Sequence, residues 1–152
     1  MSRMVSYTQL AEDVFLEFYN MLNNNLTDPK GRTKWISSAF PDTDIESKDD
    51  LPWIVIEPVV FSERPFTLNS KRIVGSVKIS VYSSSKKEAD QLFDQILSVL
   101  NEKKTVLAEH GLRMVNIVDS DYDTVFLDKI KVRVREMVVQ FIFYAENVGV
   151  GW

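Results

Sequence analysis

The sequence predicts an α+β domain with elements in the order α-β-β-α-β-β. One four-stranded, mainly antiparallel sheet carries both helices on one face. Three observations support this. Apolar residues recur at helical spacing in two segments, about 7–24 and 85–111, each opened by a capping box. Apolar and polar residues alternate along parts of 71–82 and 129–145, the period of a half-buried strand. All five prolines lie between Pro29 and Pro65, so the chain from Phe66 to Trp152 is free to form long helices and interior strands. A sheet with one apolar face buries it by packing against helices, which gives the two-layer arrangement.

The first helix is predicted from Tyr7 to Asn24. Ser6 and Gln9 form its capping box, Leu10, Val14, Phe18, Met21 and Leu22 form its stripe, and the run Asn23–Asn25 ends it. Residues 26–52 read as one long irregular loop with Pro29, Gly31 and Pro41. Within it Trp35, Ile36 and Phe40 are too apolar for a free loop. They either pin it to its own core or dock on a partner. Trp53–Val60 is the first strand, apolar on both faces except at Glu57, with Pro58 placing it at an edge or ending it. Residues 61–70 are a loop, and Lys71–Tyr82 is the second strand, with Ile73, Val77, Ile79 and Val81 on one face. Ser85 and Glu88 open the second helix, whose stripe is Ala89, Leu92, Phe93, Ile96, Val99 and Leu100. A kink or break is expected at 101–104, and Gly111 is the stop, with His110 in the last turn as a donor at the helix C-terminus. Leu112–Val118 is the third strand and Lys129–Ala145 the fourth. The fourth changes phase after Glu136, which predicts either a bulge at 135–137 or a second half buried on both faces. The whole chain, 1–152, is expected to be a single domain with a C-terminal tail at about 146–152.

Composition narrows the function classes. The chain has no cysteine, which excludes disulfides, thiolate metal sites and thiol nucleophiles, and its single histidine excludes His-rich metal sites. A net charge of −4 argues against bulk nucleic-acid binding. The N-terminus lacks an apolar signal segment, and the longest apolar run, Met137–Ala145, is too short to span a bilayer, so a soluble protein made in the cytoplasm is expected. No nucleophile elbow, phosphate loop, dinucleotide fingerprint or zinc-protease motif occurs, and Glu46, Asp49 and Asp50 sit in a polar loop. No enzyme activity, no cofactor, no metal and no small-molecule substrate are expected.

One constellation remains. Asp119, Asp121 and Asp123 open like a calcium loop, but Thr124 stands where glycine is needed and Ile130 where glutamate is needed. A hairpin centred near Leu127 would place Asp119 opposite Arg135, Asp121 opposite Arg133 and Asp123 opposite Lys131, three cross-strand ion pairs on one face. Exposed pairs contribute only about 0–1 kcal/mol each. Such an arm is either a solvated, self-neutralised element or one that reaches a neighbouring subunit. The row Lys131, Arg133 and Arg135 would allow at most weak contact with DNA.

The chain resembles the tail-terminator, or tail-completion, proteins of long-tailed bacteriophages. The resemblance rests on the helix 7–24, the Asp-Leu-Pro-Trp-Ile-Val-Ile-Glu entry at 50–57, the serine-rich lead at 83–88 and the long last strand 129–145. It implies a virion protein of the tail or neck, assembled in the host cytoplasm as a homo-hexameric ring. The ring would terminate the tail tube and join it to the head-completion or connector protein, with DNA passing through its lumen. A ring subunit needs two unlike, complementary patches. The candidate interface residues are Trp35, Ile36 and Phe40 of the loop and Asp119, Asp121, Asp123, Lys131, Arg133 and Arg135 of the arm. Two other readings are another neck component, such as a head-closure protein, and a small α/β nucleic-acid-binding module.

Overall fold

Helix α1 (Tyr7–Asn25) is followed by β1 (Ile36–Ser37), β2 (Trp53–Ile56), β3 (Val60–Pro65) and β4 (Ser70–Ser83), then α2 (Lys86–Glu109), β5 (Arg113–Leu127) and β6 (Ile130–Glu146). These elements come from a computed structural model that describes residues 7–32, 34–39, 51–65, 70–127 and 130–146. The class is α+β with two helices, as expected, but the sheet has six strands and is mixed. Its order is β1-β2-β4-β6-β5, with β3 beside β2 on the same edge of β4. β1 runs parallel to β2 and every other pair is antiparallel.

Two differences create the extra strands. Pro58 ends β2, and the chain then rejoins β4 one residue out of step: Ile56 pairs with Ile79, whereas Val60 pairs with Ser76. Thus 60–65, expected mostly as loop, is a strand, because Phe61 lies opposite Gly75 and packs on the core. β1 arises inside the expected loop 26–52. Asp28 folds that segment on itself: its carboxylate accepts from the N–H of Lys30 at 2.9 Å and of Arg32 at 2.8 Å, and from Arg32 Nε at 2.8 Å. Gly31 takes the left-handed φ of 66° that this turn needs. Arg32 then donates to the Pro52 carbonyl and lies over the Trp53 ring, and Ile54 N–H donates to Trp35 O at 2.9 Å.

The Asp28 carboxylate is only 4% exposed. Burial pushes its pKa up, but the Arg32 guanidinium and the amides of Lys30 and Arg32 outweigh that and leave it below the ordinary value of 3.8. The stability this group contributes is therefore complete above that value and is lost as pH falls through the folded pKa. Urea midpoints measured from neutral pH down to about pH 3 should show Asp28→Asn less stable than wild type at neutral pH and the gap closing in acid. A constant gap would show that the carboxylate charge is not what Arg32 holds.

Both helices lie on one face of the sheet. Phe18 and Leu22 of α1 and Leu92, Phe93 and Ile96 of α2 cover Ile54, Ile56, Ile73, Val77, Ile79, Met137, Val139 and Phe141. α2 runs unbroken through 101–104, so no kink forms there. Ser85 Oγ accepts from Glu88 N–H at 3.2 Å, while Glu88 Oε1 accepts from Ser83 Oγ at 2.7 Å. At the other end Gly111, with φ 95°, turns the chain out, and His110 Nδ1 sits 2.8 Å from Glu17 Oε2, tying α2 to α1.

The phase change in β6 is neither a bulge nor a doubly buried segment. Its register to β4 runs without a shift from Ser70–Glu146 to Ser83–Arg133. From Val132 to Phe143 odd-numbered residues face the helices and even-numbered ones the opposite, open face. Met137, Val139 and Phe141 are buried under the helices, whereas Val132 and Val134 are buried on the open face with Leu51, Trp53 and Val55. One regular strand thus serves two cores on opposite sides of the sheet.

Candidate assembly surface

The β5–β6 hairpin does not have the expected register. Leu127 pairs with Ile130, which leaves two residues to join the strands, and Tyr122 pairs with Arg135, Asp121 with Glu136 and Thr124 with Arg133. The hairpin axis falls beyond Leu127, so every pairing moves by three residues. An odd displacement also moves each side chain to the other face. Asp119, Asp121 and Asp123 therefore do not meet Arg135, Arg133 and Lys131. The aspartates share the open face with Val138, Glu136 and Val134, and the three cations share the helix face.

Each charge finds a different neighbour. Glu136 accepts from Lys78 Nζ at 3.1 Å, and this bond raises the lysine pKa above its ordinary value. Asp121 Oδ1 accepts from the N–H of Tyr122, and Asp123 Oδ1 from the N–H of Thr124, both at 2.7 Å. Arg133 Nη1 donates to Thr124 Oγ1 at 3.2 Å. Arg135 is held between two rings, 4.1 Å from the centre of Phe93 and 3.8 Å from that of Tyr122, with its buried Nε bonded to none of the described residues. Tyr122 Oη donates to Asp90 Oδ1 at 3.1 Å, and Lys86 lies over the same ring. Lys131 is exposed near the hairpin tip.

Since a planar guanidinium stacks where an ammonium cannot, Arg135→Lys should cost about 1 kcal/mol, read as a lower urea midpoint. An unchanged midpoint would show that the sandwich contributes nothing.

Of the loop residues singled out from sequence, Trp35 and Ile36 are 4% and 2% exposed and belong to the helix-side core. The pinned-loop alternative describes these two. Phe40, with Glu46, Asp49 and Asp50, lies outside the described residues. Sequence reasoning missed Tyr122, Lys86 and Glu136. The only signal was Tyr122 standing between two aspartates at strand period. Among the described residues no cluster of three or more His, Asp or Glu side chains could hold a metal.

Among the described residues β5 is an edge strand, paired with β6 alone. Its register slips twice near its root, between Arg113 and Asn116 and between Ile117 and Asp119. Met114 and Val118 lie at these two bulges and are 70% and 48% exposed. At the opposite edge an apolar groove of about 420 Å³ runs between α1 and the β2–β3 break, lined by Ala11, Phe15, Leu16, Pro58 and Val59, with Glu12 and Ser38.

The family described as "Tail completion protein gp17" matches residues 38–145, from just after β1 to one residue before the end of β6. The chain belongs to this family. It is a phage tail-completion structural protein, a component of the virion tail whose partners lie in the phage tail and neck. The match takes in β2 to β6 and leaves α1 and β1 outside it. No curated protein matches the chain. Among the described residues no helix is long and apolar enough to cross a membrane.

Proposed function

We propose that this tail-completion protein acts as a closed ring, of six copies as the family resemblance implies, that terminates the tail tube and offers its other rim to the head-completion or connector protein. The observation that carries this reading is the pairing of family membership with two unlike sheet edges. Head-to-tail contacts close into a ring only if each copy has two different complementary patches. β5, with its protruding apolar residues, and the groove at the β2–β3 side are such a pair. The charged hairpin, Asp119, Asp121 and Asp123 on one face and Lys131, Arg133 and Arg135 on the other, is then free to meet a neighbour or a rim partner. Arg135 is held between its two rings, but the exposed Lys131 and Lys86 would give passing DNA a weak, salt-sensitive contact. Catalysis has no part in this role.

Native mass measurement of the purified chain, together with imaging of tails assembled with and without it, tests the reading. A ring of defined number at the head-proximal end of the tube is expected. A chain that is monomeric in solution and forms no ring on tails would overturn it.

A further inference from the structure

The two bulges in β5 share an unusual property. Each coincides with a large apolar side chain turned toward solvent on the outer strand of the sheet, Met114 at 70% and Val118 at 48% exposure. Bulges re-aim side chains and are over-represented at sheet edges and functional sites. Met114 also has φ 53°, a left-handed conformation that ordinarily falls to glycine or asparagine. A strained backbone holding out a solvent-exposed methionine gives little back to the isolated fold, and such strain concentrates where function uses it.

The complementary shape lies on the same chain at the far edge of the sheet. There Ala11, Phe15 and Leu16 of α1, with Pro58 and Val59, form an almost wholly apolar groove, and Leu16 is half exposed in it. Charges match as well as shapes. Arg113, beside Met114, is exposed and forms no ion pair with a described residue, and Glu12 on the groove's rim is likewise exposed. Pro58 and Val59 of the groove lie at the sheet edge opposite β5, with β4 and β6 between, so Met114 reaches them on a second copy and not on its own. The occupant that fits is therefore a second copy.

Resting on the ring reading above, we infer that Met114 and Val118 of one copy seat in the groove that α1 forms with Pro58 and Val59 of the next, with Arg113 against Glu12, and that this contact repeats around the ring.

The chain has no cysteine, so introduced pairs report cleanly. The double variant combining Met114→Cys with Pro58→Cys, at opposite edges of one subunit, oxidised under conditions where wild type assembles, should give a ladder of covalent multimers ending at the ring number, and neither single variant should. Met114→Gly separates assembly from folding. Glycine suits the left-handed backbone, so the melting temperature should hold or rise, while assembly weakens by roughly tenfold or more as an apolar anchor is lost. Arg113→Glu should also weaken assembly, and Glu12→Arg on the same chain should restore it. If wild type forms rings yet the ladder is missing and Met114→Gly assembles normally, this inference falls and the ring reading stands. If wild type forms no ring in solution or on tails, both fall.

Discussion

Gly75→Ala should destabilise the protein by about 2–3 kcal/mol, and Phe141→Ala by about 3–5 kcal/mol, with unfolding still cooperative in both. Gly75 sits in β4 with Phe61 opposite it on one side and Phe141 on the other. A Cβ placed there would lie 2.3 Å from Phe141 Cζ. The ring cannot easily step aside. It is fully buried, with Phe18 at 6.1 Å and Phe61 at 6.5 Å between centres. The aromatic covers the space that the glycine leaves open, so the two residues are one packing unit. Their effects should not add: Gly75→Ala placed in a Phe141→Leu background should cost at least about 0.5 kcal/mol less than in wild type. Strict additivity in that double-mutant cycle would mean that the ring yields freely. Against a total stability of about 5–15 kcal/mol, either single loss is large enough to lower the yield of assembled tails.

Trp35→Ala should cost about 3–5 kcal/mol, as for other buried aromatics. The indole lies in the helix-side core beside Ile36 and Ile54, and the residue's carbonyl receives the Ile54 N–H. Losing it leaves a cavity and loosens β1, which among the described residues pairs with β2 at Ile36–Ile54 and Ser37–Val55. Ser37 Oγ, the acceptor for Trp53 Nε1 at 2.8 Å, would loosen with it. Guanidinium or urea unfolding measures the loss. A cost below about 1 kcal/mol, with assembly abolished, would move Trp35 from core to interface.

The helices and the long strands β4 and β6 were legible because each is written as a long periodic pattern with its own caps and breaks. Ser85, Glu88 and Gly111 mark the bounds of α2 in sequence and in space. β1 was not legible, since two residues make no period and the turn before it, held by Asp28 and Arg32, looks like any proline–glycine loop. β3 was hidden for a related reason: Ser62, Glu63, Arg64 and Pro65 have loop composition, and only the neighbouring β4 makes them a strand. The hairpin register failed on a small quantity, three residues, yet that reversed which charges share a face. Nothing local states where a hairpin axis falls, because the number of connecting residues and the bulges at the root decide it together. The phase change at Glu136 was visible, but its cause was not, since a second cluster on the open face is a property of Leu51, Trp53 and Val55 as much as of β6. The docking residues left the faintest trace of all: Met114 and Val118 look like ordinary strand residues until the edge and its bulges are known.

The aspartates of β5 have a consequence for how unassembled copies behave. An open strand edge is a template on which another strand can grow, and most sheet proteins guard it. Here the guards are Asp121 and Asp123, whose carboxylates already hold the N–H groups of Tyr122 and Thr124. A stray strand would have to displace two anionic acceptors before either N–H could bond to it. Backbone pairing between free subunits is thereby disfavoured along that stretch, which leaves joining there to side chains.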